Sequence, residues 1–209
     1  MTAITELVYL AAAVLFILGL KRLASPATAR RGNLLSAVGM LLAIAITLLD
    51  RQILSFQWII IGMVVGAGVG AWMARAVAMT AMPQMVGLFN GFGGGASVLV
   101  AAGEWNRLVQ PGATLDPATA VTVYASALIG SITFSGSVVA AGKLQELIPG
   151  RPVLFRGQHG LNLLLVLGVV GLAIYLSAAE APAVFLALIA IALLLGVLLT
   201  IPIGGADMP

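Results

Sequence analysis

APAVFLALIAIALLLGVLLTIPIGGA, residues 181–206, lies between Glu180 and Asp207 without one charged side chain. A helix needs about 20 mostly apolar residues to cross the hydrocarbon of a bilayer, and this run supplies them. The same reading works outward along the chain. Glu6–Lys21, Arg31–Asp50, Arg51–Arg75, Arg75–Glu104, Asp116–Lys143 and Arg156–Glu180 bound six further apolar runs. The first is short, but it extends back to Ile4 and forward through a snorkelling Lys21. None alternates with the period of two of a barrel strand, and each is much longer than a strand. The sequence therefore predicts an all-α, polytopic transmembrane bundle. It places seven helices at approximately 4–22, 33–49, 56–75, 83–104, 117–142, 159–178 and 181–203, in one transmembrane domain over 1–209.

Composition agrees. Of 209 residues, 8% are charged and 61% hydrophobic, and the mean hydropathy is +1.14. A soluble domain carries about 25% charge, so this chain cannot coat a water-soluble globule. Disordered chains are polar and charged, which excludes disorder. The absence of cysteine excludes a disulfide scaffold and a cysteine-ligated metal site. A net charge of +3 points to topology here and not to nucleic acid, because the basic residues sit in short loops between spans. Lys21, Arg22, Arg30, Arg31, Arg75, Lys143, Arg151 and Arg156 fall on one side, and Arg51 and Arg107 on the other. The positive-inside rule then puts the N-terminus outside and the C-terminus in the cytoplasm. The first helix has its positive charges after the apolar core, the reverse of a signal peptide.

Three helices are rich in small residues, which let backbones approach closely in lipid. Helix 3 carries Gly62, Gly66 and Gly70; helix 4 carries GFGGGAS, residues 91–97; helix 5 carries Ser126, Gly130, Ser131, Ser135, Gly136 and Ser137. A tight interface among helices 3, 4 and 5 is expected. At 100° per residue, Gly87, Asn90, Gly94, Ser97, Ala101 and Glu104 share one face of helix 4. Thr122, Ser126, Thr133 and Ser137 share one face of helix 5. Asn90 lies seven residues past Pro83, and Ser137 six before Lys143 on a helix running the other way. The two are thus expected at similar depth, facing each other, where a buried amide needs a partner. Facing polar stripes can hold a file of water. The plainer reading stands beside this one: Ser and Thr bond back to their own i−4 carbonyl, and a lone Asn glues two helices.

No Asp, Glu, Lys, Arg or His lies mid-span, and Asn and Ser do not titrate at physiological pH. Glu6, Asp50, Asp116 and Glu180 read as helix-end charges, whereas Glu104 sits on the Asn90 stripe and marks an outer entrance. His159, the single histidine, reads as an interfacial loop residue with no second ligand at metal spacing. GFGGGAS lacks the preceding strand and βαβ context of a nucleotide fingerprint, and no GxSxG or HExxH occurs. Neither a cofactor nor a metal is expected in this chain. TAMP, residues 80–83, and ADMP, residues 206–209, form a short echo. The first launches a helix, so the second reads as the launch of another, as in a truncated piece of a longer protein.

MTAMPQMVGLFNGFGG (79–94), TFSGSVVAAGKLQ (133–145), QHGLN (158–162) and IGGADMP (203–209) resemble the beta subunit of the proton-translocating NAD(P)+ transhydrogenases, and the likeness runs over the whole chain. The resemblance implies a complex in a bacterial inner membrane that couples inward proton movement to hydride transfer from NADH to NADP+. It implies an alpha-type subunit bearing membrane helices and the NAD(H) domain, further beta-subunit helices, an NADP(H) domain, and a dimer of protomers. It places the family's proton-path position, often histidine, on Asn90, and the serine of TFxGS on Ser137. The titrating group then comes from an alpha-type helix beside helix 4. Asp207 falls on the GGADMP aspartate implicated in coupling to the NADP(H) domain, and Thr122 on the site of a glutamate found in some members. With Thr133 and Glu104 as weaker candidates, Asn90 and Ser137 are expected to order water at a constriction. Two rivals differ in class: a secondary transporter for a small solute, which the echo motivates, and a purely structural membrane anchor. Solute flux by the isolated chain favours the first; coupling that survives substitution along both stripes favours the second.

Overall fold

The computed structural model describes residues 3–49, 56–110, 116–179 and 181–208. Asp50, Arg51, Glu180 and Pro209, which the charge-gap and echo readings used, lie outside the described residues. Seven α-helices follow in order: α1 Ala3–Leu23, α2 Pro26–Leu48, α3 Phe56–Ala76, α4 Met82–Leu108, α5 Pro117–Leu144, α6 Gln158–Leu176 and α7 Pro182–Thr200. Each is long and apolar enough to cross a membrane. Single 3-10 turns at Met79–Ala81 and Gly205–Asp207 precede α4 and follow α7. Among the described residues no strand occurs.

Helix starts follow local chemistry. α2, α5 and α7 begin on a proline and α4 has Pro83 in its first turn, where the missing N–H costs nothing. At α5, Asp116 also caps: its carboxylate accepts from the Thr119 N–H at 3.0 Å and from Thr119 Oγ1 at 3.0 Å. The Thr119 backbone N–H, above all, holds the Asp116 carboxyl below its ordinary range. Some boundaries differ from the sequence expectation. α2 starts at Pro26, well before residue 33, because arginine is a good helix former and Arg30 and Arg31 do not interrupt it. α4 continues past residue 104 to Leu108, since Trp105 and Leu108 are buried. α7 stops at Thr200, short of 203, ahead of Pro202.

The chain divides into two compact units at Arg75/Ala76, the end of α3. In the first, α1 and α2 form an antiparallel hairpin in which glycine permits backbone contact. A Cβ on Gly32 would sit 2.7 Å from the Gly19 carbonyl oxygen, and one on Gly19 would sit 2.9 Å from that of Gly32. Tyr9 Oη and Thr47 Oγ1 share a 2.7 Å hydrogen bond across the pair. Within the same unit, a Cβ added at Gly62, Gly66 or Gly70 of α3 would meet nothing within 4 Å.

In the second unit α5 is central, with α4 and α7 packed along it and α6 against α7. Its core joins Trp105 and Leu108 of α4, Val123, Tyr124 and Ala127 of α5, Val169 and Leu176 of α6, and Phe185 and Leu188 of α7. The Trp105 and Phe185 rings stack with centroids 4.7 Å apart. Tyr124 Oη donates to the Leu176 carbonyl at 2.9 Å, satisfying one of the unpaired acceptors at the end of α6. This anchor holds the Glu104 end of α4 and α5. The opposite end carries most of the polar side chains treated next.

Candidate functional site

Small residues bring α4 and α5 together and so determine what faces what. A Cβ on Gly94 would lie 2.7 Å from the Gly130 oxygen and 2.8 Å from the Phe134 nitrogen, and one on Gly130 would lie 2.7 Å from the Gly94 oxygen. The helices cross here backbone to backbone. One turn away, a Cβ on Gly91 would stand 3.1 Å from the Ser137 Cβ, so Ser137 tucks over Gly91. There Asn90 Nδ2 donates to Ser137 Oγ at 2.9 Å. The two residues expected to face each other at equal depth are brought together.

Ser137 is 8% exposed, while Asn90 opens onto a groove. That groove, about 450 Å³, is lined by Val86, Asn90, Thr133, Ser137, Ile203 and Met208 among others. The remainder of the two polar stripes lines a second groove of about 480 Å³, where Ser97 and Glu104 of α4 face Thr119, Thr122 and Ser126 of α5. The Gly94–Gly130 crossing stands between them in sequence on both helices. The polar seam is thus two open grooves on either side of a tight backbone contact.

The remaining candidates vary in what they offer. Thr133 lines the Asn90 groove. Thr122 faces the second groove, but its hydroxyl donates back to the Ala118 carbonyl at 2.8 Å, the self-satisfied arrangement available to any helical threonine. Glu104 accepts both a Nε and a terminal N–H hydrogen bond from Arg107 three residues on, so it is an ion-paired carboxylate at the groove's edge. Asp207 lies exposed in the 3-10 turn after α7, its N–H donating to the Gly204 carbonyl at 3.0 Å. It is not brought to Asn90, but its neighbour Met208 is. His159 is exposed. Among the described residues no group of three or more His, Asp or Glu is placed to hold a metal. GFGGGAS lies wholly inside α4, so its N–H groups are engaged in the helix ladder and form no phosphate cradle. Phosphate oxygens would find no free N–H donors along this stretch.

Sequence reasoning missed three side chains at the Asn90 end. Gln84 Nε2 donates to the Leu144 carbonyl at 3.0 Å, and Gln158 Nε2 to the Leu198 carbonyl at 3.0 Å. Lys143, read as a loop charge, is 2% exposed and donates to carbonyls beyond α7. All three satisfy acceptors that helix ends leave unpaired. Their sequence signal is faint, since a polar residue near a helix end looks the same whether it reaches water or a neighbouring carbonyl.

Residues 5–209 match the family model described as NAD(P) transhydrogenase beta subunit. The chain belongs to that family. It is 42% identical over 214 aligned positions to the NAD(P) transhydrogenase subunit beta of Rhodospirillum rubrum, an alignment covering 99% of this chain and 46% of the relative. The same figures hold for the subunit from one strain of that species. The chain therefore spans about half the length of these relatives. As a transhydrogenase beta-subunit sequence with seven apolar helices, it is a multi-pass membrane protein.

Proposed function

We propose that this chain is the proton-translocating part of the membrane domain of an NAD(P)+ transhydrogenase, in which α4 and α5 line a water path. The complex couples inward proton movement across a bacterial inner membrane to hydride transfer from NADH to NADP+. An alpha-type subunit, an NADP(H) domain and a dimeric arrangement complete it. The N-terminus faces outward and the C-terminus the cytoplasm, in line with the basic-residue bias.

One observation carries the reading: the Asn90–Ser137 hydrogen bond lies on the wall of an open groove that Thr133 and Thr200 also line. Each partner keeps capacity beyond the mutual bond. Asn90 has a second N–H and a carbonyl oxygen, and Ser137 has its own O–H. Together they can hold one water between two others without titrating. The proton itself then rides on water and on a titrating group from a neighbouring helix. Asp207, at the groove's end through Met208, links path opening to the state of the NADP(H) domain as two faces of one equilibrium.

The test is proton-coupled hydride transfer in the assembled complex. A net hydrogen bond is worth about 1 kcal/mol, or roughly fivefold in rate. Asn90→Leu, which also removes the water site, is expected to lose at least that, and Ser137→Ala about that. Asn90→His keeps a donor and is expected to retain more coupling than Asn90→Leu. Normal coupled turnover in both Asn90→Leu and Ser137→Ala removes these residues from the path.

A further inference from the structure

We infer that Lys143 is a positioning residue that fastens the segment after α7, residues 201–208, as a cover over one end of the Asn90–Ser137 groove. Lys143 sits in the last turn of α5 with 2% of its surface exposed. Its Nζ donates to the Ile201 carbonyl at 2.5 Å and the Ile203 carbonyl at 2.8 Å, with the Arg151 carbonyl at 3.4 Å. An ammonium has three N–H donors and no acceptor, so three main-chain oxygens use all of them. No carboxylate takes part: among the described residues the ion pair found is Arg107 with Glu104. The buried charge is met instead by carbonyl dipoles. Two lie just past the C-terminus of α7, where the helix dipole is negative.

The same segment is tied at two more points. The Gly205 N–H donates to the Gly150 carbonyl at 2.8 Å, and the Val153 N–H to the Ile201 carbonyl at 3.2 Å. Thus held, it contributes Ile203 and Met208 to the wall of the groove that Asn90 and Ser137 line. Lys143 lies less than two turns from Ser137 on the same helix. One side chain therefore joins the polar pair's own helix to the apolar wall opposite it. A helix-end lysine serving only solubility would project to water, and one serving only as a cap would bond its own helix. The consequence for turnover rests on the proposed path: a shift of residues 201–208 would widen or narrow it.

The test is alkylation of a single cysteine. The chain has no cysteine of its own, and Ala140 lines the groove. In the assembled complex in membrane vesicles, Ala140→Cys is treated with N-ethylmaleimide, and modification of this chain is read by mass spectrometry. Lys143→Met, of similar length without donors, is expected to raise the rate about tenfold. Lys143→Arg, which keeps charge and donors, is expected to stay within twofold. Gly205→Pro replaces the N–H bonded to Gly150 by a ring carbon that the Gly150 oxygen, 2.8 Å from the nitrogen, must move away from. It leaves Lys143 in place, serves if Lys143→Met does not assemble, and is expected to raise the rate as well. Unchanged alkylation in assembled Lys143→Met or in Gly205→Pro overturns the inference. Alkylation does not depend on turnover, so the two readings fail separately. Unchanged alkylation with an uncoupled Asn90→Leu sinks the fastener alone. Raised alkylation with Asn90→Leu and Ser137→Ala both fully coupled sinks the path and leaves Lys143 holding a cover.

Discussion

Replacing Gly94 by alanine puts one methyl group where α4 and α5 touch. That carbon would lie 2.7 Å from the Gly130 oxygen, 2.8 Å from the Phe134 nitrogen and 2.9 Å from the Thr133 Cβ, against 3.4 Å for ordinary contact. Two of these three atoms are backbone, so no flexible side chain can yield. The helices must part by about 0.7 Å at the crossing, an overpacking strain of about 1–3 kcal/mol. The glycine-to-alanine change returns about 0.5–1 kcal/mol of helix propensity. Taking the middle of each range, the net loss is about 1 kcal/mol, or a few degrees of melting temperature at roughly 2–4 °C per kcal/mol. Gly93 is the matched control: an added Cβ there meets nothing within 4 Å, so Gly93→Ala is expected to be neutral or stabilising. The displacement also reaches the polar pair one turn away. Carried over in full, it takes the Asn90–Ser137 distance from 2.9 Å to about 3.6 Å, too long for a hydrogen bond. Gly94→Ala is then expected to lose coupling as Ser137→Ala does. The assays are thermal unfolding of the detergent-purified complex and proton-coupled hydride transfer in vesicles. If Gly94→Ala melts and couples like Gly93→Ala, the crossing is looser than described and this reasoning fails.

Two further predictions concern the ends of the helices. Tyr124→Phe deletes the bond to the Leu176 carbonyl and leaves a buried acceptor unpaired, so it is expected to lower stability by about 1–3 kcal/mol in chemical or thermal unfolding, without altering labelling of Ala140→Cys. At Asp116 the folded-state pKa lies below its ordinary value, chiefly through the Thr119 N–H. The cap's stabilisation is therefore complete above the unfolded carboxylate pKa of about 3.9 and is lost as pH falls through the folded value. Asp116→Ala is expected to melt below the parent at neutral pH, with the gap closing in acid. A gap that stays constant down to pH 3 counts against the cap.

Hydropathy alone determined the seven helices, among the described residues, that are long and apolar enough to span, because lipid demands internally bonded backbone and long apolar runs between charges are visible by eye. The facing of Asn90 and Ser137 was also legible, since helical periodicity and rise convert residue numbers into angle and depth. The sequence did not reveal which glycines are used. Gly91, Gly93, Gly94 and Gly95 crowd one stretch of α4, yet it is Gly94 that meets Gly130 of α5 backbone to backbone, while a Cβ on Gly93 would meet nothing within 4 Å, and spacing alone cannot name a partner. Nor did it reveal that Lys143 is buried. A lysine at a helix end is equally suited to water and to a cage of carbonyls. Only the return of residues 201–203 past the end of α5 brings those carbonyls within reach.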